Sequence, residues 1–197
     1  MGFLDALLGR TKPVQPNLDA LFAIPSAAYT LEAALGVRPT GAGAVCFKNA
    51  EGAAARRSDT EILELLHLDP AVTVAVTADG FGFTWITCRQ ADPDLAALVT
   101  TLHAINTVLS DNGFGPGLLC TVIAFAAPDA TTRPDTATRR FGLIYLFKRG
   151  TFYPFAPTGP QHRDNAFELQ ARAAVSGELP IEPDLGRWFP LWDAPVP

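Results

Sequence analysis

The sequence predicts an α+β domain: a mainly antiparallel sheet of five to seven strands with helices covering one face. Three observations carry that reading. VTVAVTADGFGFTWITC, residues 72–88, alternates on both sides of Asp79-Gly80, and an Asp-Gly pair between two alternating runs is the strongest short-range hairpin signal. Leu95, Leu98, Val99, Leu102, Ile105 and Leu109 form one apolar face at helical spacing after the start Asp92-Pro93-Asp94, which fits a helix reaching Asn112-Gly113. Two apolar runs, 118–125 and 141–155, then supply two or three more strands.

Taken in chain order, Asn17 is placed to cap a first helix over Leu18–Phe22. Pro25 is expected to interrupt it before a second helix restarts through Leu31–Leu35 and stops at Gly36. Gly41–Phe47 reads as a short strand entered by glycines, and Ser58 with Glu61 stands at capping-box spacing ahead of Ile62, Leu63, Leu65 and Leu66. In the hairpin, Phe81, Phe83 and Trp85 share one face. The acidic, Thr-rich stretch 128–138 reads as a loop, and Gln161–Ser176 as a last helix ending at Gly177. The tail from Leu179 is too rich in proline for regular structure and too aromatic to hang in water, so it is expected to fold back on the domain.

TLEA at Thr30 leads to GAGAVC at Gly41, and TLHA at Thr101 leads to GPGLLC at Gly115. Each is a helix entering a glycine-led strand with cysteine at the same offset, which suits two related halves sharing a sheet. Chance repetition is the competing reading, because small apolar residues dominate both stretches.

The 197 residues, 48% hydrophobic and 18% charged, are enough for one domain with its own core. A net charge of −5, with the basic residues scattered as pairs such as Arg56/Arg57 and Lys148/Arg149, argues against a nucleic-acid partner. Cys46, Cys88 and Cys120 sit in apolar strand-like surroundings and read as buried reduced thiols of a cytoplasmic protein. His67, His103 and His162 form no close cluster with them, so neither a metal nor another cofactor is expected. The longest apolar run, 117–127, is about half the length of a bilayer span.

Sequence motifs name no reaction. Gly41-x-Gly43 and Gly115-x-Gly117 precede strands, whereas a dinucleotide-binding loop follows a strand and opens a helix. Glycine there fits a tight corner or a close approach under a neighbouring element. The polar group His162, Arg163, Asp164, Asn165 and Glu168 is the densest titratable set, but a helix start after Pro160 accounts for it by capping alone. No catalytic residues are assigned.

Two terminal segments remain. Residues 1–16 hold MGFLDALLGR, with Phe3, Leu4, Leu7 and Leu8 on one helical face, followed by a connector containing Pro13 and Pro16. That segment is separable from the domain at 17–197 and suits a partner groove better than a membrane surface or packing on its own domain. At the other end, Trp188, Phe189 and Trp192 either close the domain's own core or anchor a partner.

MGFLDALLGR, KPVQPNLDALFAIPSAAYTLEAALG, RPTGAGAVCF and RWFPLWDAPVP together resemble the PspA-associated proteins of the PspAB type found in actinobacteria and archaea. The resemblance implies a non-enzymatic cytoplasmic accessory of the phage-shock envelope-stress response. Its implied partner is PspA, a coiled-coil membrane-remodelling protein, or a related membrane-stress component; the amphipathic residues 1–10 suit either that helical partner or peripheral contact at the inner membrane face. The expected architecture, an antiparallel sheet with helices on one face, is similar by fold-level analogy to the secretion-chaperone and YbjN-like group. A different class of function, a small-molecule sensor or a hydrolase, would need a pocket near Phe81, Phe83, Trp85 and His162.

Overall fold

The computed structural model describes residues 16–48, 64, 72–90, 94–127 and 140–196. Six strands form one antiparallel sheet: β1 (Arg38–Lys48), β2 (Val72–Ala78), β3 (Phe83–Gln90), β4 (Leu118–Ala126), β5 (Arg140–Leu146) and β6 (Thr151–Phe155), in the spatial order β2-β3-β1-β4-β5-β6. A small hairpin, β7 (Pro157–Gly159) with β8 (His162–Arg163), follows β6. Among the described residues, three α-helices of some length, α1 (Ile24–Leu35), α2 (Leu95–Leu109) and α3 (Asn165–Val175), pack on one face. The fold is α+β. The decapeptide bearing Phe3, Leu4, Leu7 and Leu8, the expected helix at 58–66 (Glu64 apart), Asp92-Pro93 and the loop at 128–138 lie outside the described residues.

The centre of the sheet explains its sequence. β1 lies between β3 and β4 and is buried at seven consecutive positions, 41–47. A strand covered on both faces needs no polar alternation. Val45 and Phe47 face the helices, while Ala42, Ala44 and Cys46 face away from them, beside Cys120, Val122 and Ala124 of β4. Its glycines serve close approach. A Cβ on Gly43 would stand 2.7 Å from Leu102 Cδ1, so α2 rests directly on the strand there, and one on Gly117 would lie against the carbonyl oxygen of Lys48. Gly41 takes a left-handed φ of +75° where the β1–β4 register shifts between Pro39 and Gly43.

The helices bury the stripes their spacing predicts. α1 buries Ile24, Ala27, Ala28 and Leu31, and α2 buries Leu98, Val99, Leu102, Ile105 and Leu109, each large side chain contributing about 1.5–3 kcal/mol. α2 is started by Asp94, whose carboxylate accepts the Ala97 N–H at 3.0 Å. Its one buried polar side chain, Asn106, donates to Leu102 O at 2.8 Å and Thr121 Oγ1 at 2.9 Å.

The structure corrects three local expectations. Pro25 does not break a helix: it sits in the first turn of α1, where its missing N–H costs nothing, and the helix runs unbroken from Ile24 to Leu35. Asn17 makes no side-chain cap; the turn it precedes, Leu18–Ala23, is a 3-10 helix running into α1. The two together span 18 residues with a mean hydropathy of 1.2, at the short limit for crossing a bilayer, and Leu21, Ile24 and Leu31 are buried in the domain's own core. The last helix starts at Asn165 rather than Gln161, because Asp164 is the N-cap and accepts the Phe167 N–H at 2.9 Å. Residues 157–163 form the β7–β8 hairpin instead, with Gln161 left-handed at φ 56°.

The two helix–strand echoes lie side by side: β1 and β4 pair antiparallel with Cys46 directly opposite Cys120. Beyond that unit the halves differ. β4, β5 and β6 follow one another across the sheet, whereas β3 inserts between β1 and β2.

Candidate functional site

The face of the sheet turned away from the helices is covered by the C-terminal tail. Ile181 bridges Phe152 in parallel, with Phe152 N–H donating to Pro180 O and Glu182 N–H to Phe152 O, both at 2.8 Å. Trp188 is buried, stacks on Tyr153 at 6.0 Å between ring centroids and donates from Nε1 to Glu182 O at 3.0 Å. The Tyr153 hydroxyl donates to Phe189 O at 2.8 Å, and Trp192 meets Phe155 edge-on at 5.2 Å. Aromatic pairs in these geometries add to what burial alone contributes.

Two carboxylates fasten the tail. The side chain of Glu182 is fully buried and accepts from Arg149 Nε at 3.0 Å, Thr151 Oγ1 at 2.9 Å and the Asp184 N–H at 3.2 Å. Burial pushes its pKa up, but those hydrogen bonds and the Arg149 charge outweigh burial and hold it below the ordinary 4.5. A carboxylate with a lowered folded-state pKa contributes stability that is present above its unfolded value and lost as pH falls through the folded one. The tail is therefore expected to loosen below about pH 4.5. Tryptophan emission followed against pH should shift to the red there, and Glu182→Gln should flatten that part of the profile. An identical profile in the variant would show that Glu182 is not the group responsible.

Glu168, buried on α3, is the second fastening. It receives Arg163 through Nε at 2.9 Å and Nη2 at 2.8 Å, and the Ala156 N–H at 2.8 Å. Arg163 in turn donates from Nη1 to Trp188 O at 2.8 Å and lies 5.1 Å over the Phe155 ring. Above this pair opens a groove of about 270 Å³ lined by Arg163, Asn165, Glu168, Leu169, Leu185 and Trp188. Leu169, Leu185 and Phe189 are 47%, 52% and 59% exposed, so α3 and the tail together present an apolar rim around the Arg163–Glu168 ion pair.

The remaining candidates are dispersed. Phe83 and Trp85 belong to the tail-covered face, Trp85 donating from Nε1 to Asp79 at 3.0 Å, whereas Phe81 lies in the hairpin turn and is 72% exposed. His162 is exposed on the β7–β8 hairpin, its Nδ1 2.7 Å from Pro160 O. β3 and β6 are four strand positions apart, about 19 Å, so the structure does not bring His162 to Phe81, Phe83 and Trp85. All three cysteines are buried free thiols. Burial pushes Cys88 up to about 12, and the hydrogen bond between Cys46 and Cys120, then burial, raises Cys46. Cys46 and Cys88 are therefore protonated and unreactive at neutral pH. Among the described residues no group of His, Cys, Asp and Glu could hold a metal ion.

Sequence reasoning missed the first fastening and singled out Arg163 and Glu168 only as part of a helix start, not as an ion pair. Arg149 and Glu182 are 33 residues apart, and nothing local marks either as paired.

A family model described as PspA associated protein B matches residues 1–196. The chain belongs to the PspAB family. None of the curated proteins and none of the solved structures matches it. As a PspAB protein it is a PspA-associated protein, and the match takes in both the opening decapeptide and the aromatic tail.

Proposed function

We propose that the chain is a non-enzymatic adaptor of the phage-shock envelope-stress response, working at the cytoplasmic face of the membrane by binding PspA or a related coiled-coil component. The observation that carries this reading is membership of the PspA-associated family over 1–196. Two surfaces support it. The apolar face of Phe3, Leu4, Leu7 and Leu8 has the spacing by which an amphipathic helix joins a helical partner. The exposed rim of Leu169, Leu185 and Phe189 offers a second contact, anchored on the buried Trp188.

The test is capture of purified PspA-type protein by the full chain and by a chain lacking residues 1–10, with turnover-free equilibrium binding as readout. Full chain binding and loss in the truncation are expected. Leu7→Ala and Leu8→Ala should each weaken binding by about 1–2 kcal/mol, roughly tenfold. Equal binding by both chains would move the contact to the tail rim, and failure of both to bind would end the adaptor reading.

A further inference from the structure

The two outer edges of the sheet are treated differently. β6 carries Pro154 and is bridged by Ile181 of the tail, so its outer edge is blunted. β2, at the other edge, pairs only with β3 among the described residues. It has seven residues, VTVAVTA, with no charge, no proline and no register shift against β3. Natural edge strands usually carry one of those devices, because a bare edge recruits another strand.

The β2 sequence also reads nearly the same in both directions about Ala75: Val74 mirrors Val76, Thr73 mirrors Thr77, and Val72 mirrors Ala78. We infer that β2 is a dimerisation edge, pairing antiparallel with β2 of a second copy of this chain about a two-fold axis through Ala75. Such an interface is isologous, so each residue must suit its own mirror position. The near-palindrome meets that requirement along the whole strand.

Antiparallel partners point to the same side of the sheet. Val74 of each copy meets Val76 of the other on the helix side, where Val72, Val74 and Val76 are only partly covered by the core. Thr73 meets Thr77 on the opposite side, where both are exposed. Pairs of β-branched residues and of threonines are among the favourable cross-strand combinations. Charge agrees with this register. Exposed Arg89 lies opposite Thr73 on β3, so it comes to stand two strand spacings, about 10 Å, from the second copy's Thr77, two residues short of that copy's Asp79. Asp79 is kept ionised by hydrogen bonds from Trp85 Nε1 and the Phe81 and Phe83 N–H groups, which outweigh its partial burial. Each end of the paired strands thus sets a cation and an anion, rather than two like charges, on the same flank of the seam.

The result is a twelve-stranded sheet with both helical layers on one side and both tail rims on the other. This inference is independent of the adaptor reading: it concerns a different surface and stands or falls on the oligomeric state.

Ala75 is exposed, so it can be changed without touching the core. Light scattering should give the wild-type chain twice its 21.0 kDa mass at about 100 µM. Ala75→Lys and Ala75→Glu should each be monomeric, since like charges would face one another across the axis, and should melt as the wild-type chain does once diluted to monomer; mixing the two should restore a dimer. Ala75→Cys should cross-link to itself under oxidised glutathione, because directly opposed Cα atoms lie about 4.5–5.5 Å apart, within disulfide range. Thr73→Cys alone should not, but should cross-link when mixed with Thr77→Cys. The native thiols are buried and do not compete. A wild-type monomer at that concentration, a dimer that survives Ala75→Lys, or cross-linking of Thr73→Cys as efficient as that of Ala75→Cys would each overturn the proposal.

Discussion

Replacing Trp188 with alanine is expected to destabilise the domain by about 3–5 kcal/mol and to lower its melting temperature by about 10 °C. The indole is 6% exposed, stacked on Tyr153 and hydrogen-bonded to the carbonyl of Glu182. Truncation removes that packing from a face whose large members, among them Tyr153, Phe155 and Trp85, are already packed, and whose β1 and β4 positions Ala42, Ala44, Cys46, Cys120 and Ala124 are too small to extend into the space. Trp188→Phe separates the contributions: it keeps an aromatic on Tyr153 but leaves the buried Glu182 carbonyl without its donor, a loss of about 1–3 kcal/mol. Urea unfolding of the three chains gives both numbers. If Trp188→Ala cost less than the phenylalanine variant, the tail would not belong to the cooperative unit that melts with the sheet.

What the sequence makes legible here is local. The Asp79-Gly80 turn is read correctly because every interaction that sets it lies within a few residues: Asp79 accepts the Phe81 and Phe83 N–H groups, both at 2.9 Å. α2 is legible because one cap and one apolar stripe define it. Glycine chemistry is legible in kind, corner or close approach, but that Gly43 meets Leu102 and Gly117 meets the Lys48 carbonyl depends on tertiary docking.

Errors arise where a residue has two local uses. Pro25 stops a helix from within and starts one from its first turn, and only the position of the start, Ile24, decides between them. Pro160 could precede a helix or form a turn; with Gln161 left-handed it forms the turn between β7 and β8. The fastening of the tail was illegible for another reason. Arg149 with Glu182, and Arg163 with the Trp188 carbonyl, are 33 and 25 residues apart, and contacts between positions so far apart leave no periodic trace in the chain.

The second large effect is expected at Glu168. Glu168→Ala should cost about 3–5 kcal/mol, because it leaves the Arg163 guanidinium, 18% exposed, without its carboxylate and the Ala156 N–H without an acceptor. Most of that cost is the stranded charge rather than the net worth of the pair. A double variant, Glu168→Leu with Arg163→Met, should therefore be more stable than Glu168→Ala alone, although it removes more hydrogen bonds. It would still lose the Arg163 donor to Trp188 O, so its tail should be easier to displace than that of the wild-type chain. Hydrogen exchange reports this locally: faster exchange at the Trp188 N–H, with protection in β1 and β4 retained, is the expected pattern. If the double variant proved no more stable than Glu168→Ala, the stranded charge would not be the main cost, and the hydrogen bond from Ala156 would have to account for it.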